Sequence, residues 1–258
     1  MPEPLVALVN DQRSALLGLL TNLPADDWNR TTSVREWPVR DVVAHLVEGE
    51  LLFGRVYRGE LKALTREDAD PFAGVERWRR ADGETLRFSL WHHGSAVQRV
   101  IDSRSEESWQ REVPIFDRPL RLRDLLRLHF FDLALHSHDI TAALGAPSLW
   151  GDRIPRIVDF CVDGAPDALT RAGAKAEGGV LVEVEGVGSW TLENPGGTWR
   201  VAEPREGTAL HWATDPETLV LVTTGRKPVE AALGAPSSIG GDYEVLHEVV
   251  AAWQVKRA

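Results

Sequence analysis

Between Leu128 and Ile140 the chain reads Leu-His-Phe-Phe-Asp-Leu-Ala-Leu-His-Ser-His-Asp-Ile, with three of its eight histidines inside an otherwise apolar run. On a helix, positions three, four and seven apart share a face, so His129, Asp132 and His136 line up. Asp132 and His136, one turn apart, offer a divalent metal a carboxylate oxygen and an imidazole nitrogen from one rigid element. A solvent-facing polar stripe is the plainer alternative, although Leu125, Leu128, Phe131, Leu133 and Leu135 surround it. A metal site needs a third ligand from elsewhere.

His45 is the residue able to supply it. It sits among Val39, Val42, Val43, Leu46 and Val47, the inward stripe of a helix that Pro38 opens in its first turn. A histidine beside an apolar stripe is ordinarily a core-edge residue with one hydrogen bond, and it becomes a ligand where another helix brings partners. His45 with Asp132 and His136 makes three protein ligands and leaves one position open, the pattern of a catalytic divalent site. His92 and His93 point about 100° apart on a helix, so at most one could face a shared centre, and both read as surface or groove residues. His129 lies two turns from His136 and reads as pocket lining. His138 points away from His136.

The elements that must position these side chains are helices. Leu5 to Leu23 shows helical apolar spacing and predicts a first helix from about Pro4, ended by Pro24. The second follows Pro38. A third is predicted from about Val75 to Ile101, then an extended or turn segment from Glu112 to Pro119. A fourth runs from Leu120 to Leu144, stopped by Gly145-Ala-Pro147. Four such helices suit an antiparallel bundle, whose facing side chains build metal sites. After Pro147 the pattern changes. A helix over Ile154 to Arg171 precedes strand-like alternation at 180–185, 189–192 and 198–201, separated by glycine turns, which predicts an antiparallel meander. A further strand over 208–213, a short helix over 216–223 and a last helix over 243–255 complete the reading. The expected fold class is α+β: a helix bundle over residues 1–150 and a smaller domain with an antiparallel sheet over 151–258.

Composition narrows the function. The 43% hydrophobic and 26% charged content is that of an ordinary globular chain, and a net charge of −10 argues against nucleic-acid or anionic-membrane partners. Neither a signal peptide nor an apolar run of about 18 residues is present. The single cysteine, Cys161, excludes an internal disulfide, fits a reducing cytoplasm and reads as a buried structural thiol. The sequence assigns no oligomeric state.

Trp37-Pro-Val-Arg-Asp-Val-Val-Ala-His-Leu46, taken with Leu133-Ala-Leu-His-Ser-His-Asp-Ile140, is similar to motifs of the DinB-like metalloenzyme superfamily. Within it the chain resembles the mycothiol-dependent maleylpyruvate isomerases, whose pattern also matches the β-meander, Leu219-Val-Leu-Val-Thr-Thr-Gly-Arg226 and Gly241-Asp242. The resemblance covers nearly the whole chain. It implies a four-helix bundle with metal ligands at His45, Asp132 and His136, zinc as the first choice of metal, and mycothiol as a thiolate nucleophile on a small electrophilic substrate. At the middle ligand this chain has aspartate where the family has glutamate. One methylene shorter, it must come from a closer backbone or act through a water. His138 is a second departure, standing where the family commonly has tryptophan. The resemblance further implies a groove between bundle and rear domain for the sugar part of the thiol. Arg226 is then a candidate anion clamp for a substrate carboxylate, since a guanidinium grips one with two hydrogen bonds. It reads equally as a helix-end arginine satisfying terminal carbonyls. Asp139 reads as a hydrogen-bond partner near the ligands or at the helix end. Glu48 reads either as orienting His45 or as solvated. Three functions follow: a mycothiol-dependent isomerase or S-transferase, a thiol-independent metal hydrolase or lyase, and a non-catalytic metal-binding relative.

Overall fold

A computed structural model describes residues 3–34, 37–116, 118–234 and 237–254. The chain divides after Gly151 into two compact units. The first contains helices α1 (Glu3–Leu20), α2 (Val39–Arg58), α3 (Pro71–Trp78), α4 (Gly83–Asp102) and α5 (Glu106–Trp109), a hairpin of β1 (Glu112–Ile115) and β2 (Arg118–Arg121), and α6 (Leu122–Leu144). The long helices α1, α2, α4 and α6 pack on one another. Val9, Leu16 and Leu20 of α1, Val42, Val43, Leu46 and Val47 of α2, Leu86, Leu90 and Val97 of α4, and Leu125, Leu126 and Leu133 of α6 are buried between them. These are the apolar stripes read from the sequence, and their burial rather than intrinsic propensity holds the helices together.

Three boundaries differ from the sequence reading. The predicted third helix is two, because Asp82 accepts a hydrogen bond from the Thr85 N–H at 2.8 Å and so caps α4. Gly83 follows it against the indole of Trp28, where a Cβ would fall 2.2 Å from the ring. The first helix stops at Leu20, and Asn22 turns the chain with φ 62 before Pro24. The fourth helix begins at Leu122 rather than Leu120, because Leu120 and Arg121 belong to β2 and pair with Val113 and Glu112 of the extended segment after α5. Phe88 and Trp91 lie on the exposed face of α4.

The second unit carries α7 (Ile154–Ala172), β3 (Val180–Val184), β4 (Gly188–Glu193), β5 (Arg200–Ala202), β6 (Leu210–Thr214), α8 (Pro216–Thr223), α9 (Val229–Leu233), β7 (Ser238–Gly240) and α10 (Tyr243–Trp253). The strands form one sheet in the order β5-β4-β3-β6-β7. β3, β4 and β5 make the expected antiparallel meander, whereas β6 joins the other side of β3 in parallel. Val180, Val182 and Val184 alternate inward, and Trp212 of β6 is fully buried with its N–H donating to the Ala232 carbonyl at 3.0 Å. The short α9 and β7 escaped the sequence reading. The last helix ends at Trp253, and its expected end at Val255 lies outside the described residues. No helix among the described residues is long and apolar enough to cross a membrane.

Candidate metal centre

Within the first unit α2 and α6 pack side by side and bring His45, Asp132 and His136 together. One ligand atom from each lies within 4.8 Å of the others. Asp132 Oδ1 is 3.5 Å from His136 Nε2 and 3.7 Å from His45 Nε2. Two ligands each about 2.0–2.1 Å from a tetrahedral metal stand roughly 3.3–3.4 Å apart, so the two Asp132 spacings are close to those around one bound ion. All three side chains are largely buried yet reachable, at 22, 27 and 12% exposure for His45, Asp132 and His136.

The Asp132 carboxylate also suits a cation. Burial alone would raise the Asp132 carboxyl, but contact with His45 and the imidazoles of His136, His45 and His129 outweigh it and hold the group below the ordinary carboxylate range. Asp139, fully buried one turn after His136, stands 3.0 Å from His136 Nδ1 through Oδ2. A hydrogen-bond partner there fixes the orientation of the ring, with Nε2 on the Asp132 side. Ser33 donates to the other Asp139 oxygen at 3.5 Å.

Glu48 does not orient His45. It accepts from Arg77 Nη1 at 2.5 Å and from the Trp78 indole N–H at 3.2 Å, tying α2 to α3. His138 stacks on Trp150, with ring centroids 4.6 Å apart, away from the centre. His92 stacks on Phe88 on the outer face of α4. Arg226 belongs to the second unit, just past α8. Its Nη1 donates to the Thr224 carbonyl at 3.4 Å, the helix-end contact weighed as the alternative to a clamp. Burial pushes the Cys161 thiol up to about 12, against the opposing effects of Thr223 and Arg226, so it is no nucleophile near neutral pH.

Two features escaped the sequence reading. His129 is buried in the core, its ring stacked 4.4 Å from that of Phe53 and its Nε2 3.4 Å from Glu50 Oε1. Glu50 in turn is gripped by Arg13 of α1, Nε to Oε1 at 2.6 Å and Nη2 to Oε2 at 3.2 Å. Opposite charges on the apolar stripes of two helices were the signal that could have found this pair. The second feature is a cavity of about 220 Å³ that opens onto His45 and Asp132, walled largely by leucine and phenylalanine side chains.

The family model described as the mycothiol maleylpyruvate isomerase N-terminal domain matches residues 9–141. The chain belongs to that family. Two solved structures share the fold: a mycothiol-dependent maleylpyruvate isomerase at 16% identity and a histidine-to-alanine variant of that isomerase at 17%. Each superposes with a TM-score of 0.67 over 92% of this chain and 93% of the other. No curated protein matches the sequence.

Proposed function

We propose that this member of the mycothiol maleylpyruvate isomerase N-terminal domain family is a divalent-metal enzyme. In this reading it uses mycothiol as the nucleophile on a small electrophile, by isomerisation or S-transfer, in the cytoplasm. The observation that carries the reading is the convergence of two imidazoles and one ionised carboxylate from adjoining helices, with a buried aspartate behind one imidazole. His45, Asp132 and His136 would hold the ion, zinc before others. A divalent ion in that donor set supplies Lewis acidity that lowers the pKa of a coordinated thiol toward neutrality.

The chain's own residues do the rest. Asp139, 3.0 Å from His136 Nδ1, would fix the orientation of the ring so that Nε2 lies on the Asp132 side. The leucine and phenylalanine side chains would present a mainly apolar face to a sulfur anion on the side of the centre that the cavity reaches. Arg226 is the candidate clamp for a substrate carboxylate. Arg226→Lys, which cannot make a two-point grip, should then lose nearly as much as Arg226→Ala.

The test is metal analysis of the purified chain followed by thiol binding. About one divalent ion per chain, lost in His45→Ala, is expected, together with a change in the visible spectrum of the cobalt-substituted protein on adding mycothiol. Absence of stoichiometric metal overturns the reading. Metal without any response to mycothiol favours a thiol-independent hydrolase or lyase.

A further inference from the structure

The cavity that opens onto His45 and Asp132 lies wholly within the first unit, between α2, α6, the segment over residues 64–74 and the tip of the β1–β2 hairpin. Each of these elements turns an apolar side chain into it: Leu52 and Phe53 from α2, Leu64 from the segment, Phe116 from the hairpin tip and Leu128 from α6. The carboxylates at its border already have partners in the fold. Glu48 accepts from Arg77 and Trp78, Asp68 accepts from the Thr65 N–H and hydroxyl at 3.0 and 2.7 Å, and Asp70 caps α3 by accepting from the Phe72 N–H at 3.0 Å.

The wall is preformed. Phe116 sits at φ 50, a conformation that a bulky residue adopts only where its surroundings impose it. Its N–H donates to the Leu64 carbonyl and the Leu64 N–H to the Pro114 carbonyl, both at 2.8 Å, which ties the two apolar walls together. Size bounds the occupant. An apolar cavity of about 150 Å³ admits benzene, so about 220 Å³ has room for roughly nine carbons. Chemistry narrows it further. A sugar would give up water at each hydroxyl for leucine and phenylalanine walls, whereas a hydrocarbon group gains by leaving water for them. Of the two reactants in the proposed chemistry, the electrophile rather than the sugar part of the thiol therefore suits this space.

We propose that the cavity is the subsite for an apolar arm of the electrophile, an alkyl or aryl substituent of up to roughly nine carbons. Because the cavity adjoins the ligands, the arm belongs on the carbon that sulfur attacks. The proposal rests on the function proposed above. It concerns the arm alone, and the rest of the substrate is free to carry a carboxylate for Arg226 or an oxygen for the metal.

The test uses the metal-loaded full chain, mycothiol and a series of (E)-3-alken-2-ones whose arm runs from methyl through propyl to pentyl. Sulfur forms a bond to the alkene carbon that bears the arm and the thiol proton ends on the neighbouring carbon, with no leaving group and no redox change. Each buried methylene is worth up to about fourfold, so kcat/KM, relative to the spontaneous reaction, should rise from methyl to pentyl by about tenfold or more. Leu52→Trp fills the cavity and should shrink that ratio to about threefold or less. Phe116→Gly keeps the left-handed backbone, removes one wall and should shrink it too, which covers the case of a Leu52 variant that folds poorly. A ratio within about twofold in the wild type, or one that neither variant lowers, overturns the proposal. Pentan-2-one and nonan-2-one, the saturated ketones with methyl and pentyl arms, need no thiol and no turnover. Ligand-observed NMR should show nonan-2-one bound more tightly, and less so to Leu52→Trp. That result with no catalysis of any addition would support the subsite and count against the proposed function alone. Equal binding of the two ketones, or nonan-2-one binding that neither variant weakens, would overturn the proposal whatever the activity.

Discussion

Arg13 and Glu50 form a buried ion pair in the middle of the bundle, with side chains 4 and 1% exposed and two hydrogen bonds between them. Burial alone would raise the Glu50 carboxyl, but His129 and Arg13 outweigh it and bring it from 4.5 down to about 2. Since each pKa unit corresponds to about 1.4 kcal/mol, the lowered value represents about 3–4 kcal/mol of stability. Because the folded value lies below the unfolded one, that contribution is complete above about pH 4.5 and is lost as the pH falls toward 2. Arg13→Met keeps the volume and removes the cation, which strands Glu50 in the core. The expected cost is about 3–5 kcal/mol at pH 7, or a fall of roughly 6–20 °C in the melting of the first unit. In the variant burial favours protonated Glu50, so the gap from the wild type should narrow as the pH drops below about 5. The double variant Arg13→Met, Glu50→Leu should recover most of the loss, since an apolar pair leaves no uncompensated charge. Differential scanning calorimetry, in which the two units can melt separately, reads each quantity. A single variant within about 1 kcal/mol of the wild type at pH 7, or a gap that does not change with pH, would refute the reasoning.

Two other perturbations test the surroundings of this pair and of the metal centre. Gly94→Ala should gain helix propensity of up to about 1 kcal/mol. Its Cβ would nevertheless stand 2.4 Å from both Cδ and Nε of Arg13, and overpacking against a pinned ion pair costs about 1–3 kcal/mol or more, so a net loss in calorimetry is expected. Asp139→Asn removes the charge behind His136 without changing shape, and competitive zinc titration should find binding weaker by about 10–100-fold.

The bundle was legible because each long helix buries one stripe, and a stripe is visible in spacing alone. The break before Gly83 was not, since apolar positions continue at helical spacing from Trp78 to Leu86 across it. Only the cap at Asp82 and the indole packed on Gly83 decide the matter. The Asp-x-x-x-His pair could be read because both ligands lie on one helix, and His45 because a second motif pointed to it. The Arg13–Glu50–His129 group could not be assembled in the same way. Each member reads alone as an ordinary helix residue, and only the approach of α1, α2 and α6 turns three separate side chains into one buried network. Glu48 went astray for a related reason: its partners lie on α3, a helix the sequence reading had merged into its neighbour.

Asp132 raised the sharpest question in the sequence, because a carboxylate one methylene short of glutamate must start from a nearer backbone. The packing supplies that nearness. Oδ1 already stands 3.5 and 3.7 Å from the two imidazole nitrogens, while Oδ2 turns toward α2 at Gly49, where an added Cβ would lie 3.7 Å away. A bare backbone opposite the carboxylate leaves α6 free to sit close to α2. An alanine methyl makes only an ordinary contact there, so Gly49→Ala should keep zinc affinity within about threefold. Gly49→Leu adds a branched side chain that cannot avoid both Asp132 and the Phe53 ring, whose Cε2 lies 3.9 Å from the same point. It should displace the carboxylate and weaken zinc binding about tenfold or more, with the first unit still folded by circular dichroism. Unchanged affinity in Gly49→Leu would mean that the short carboxylate does not depend on the close approach of the two helices.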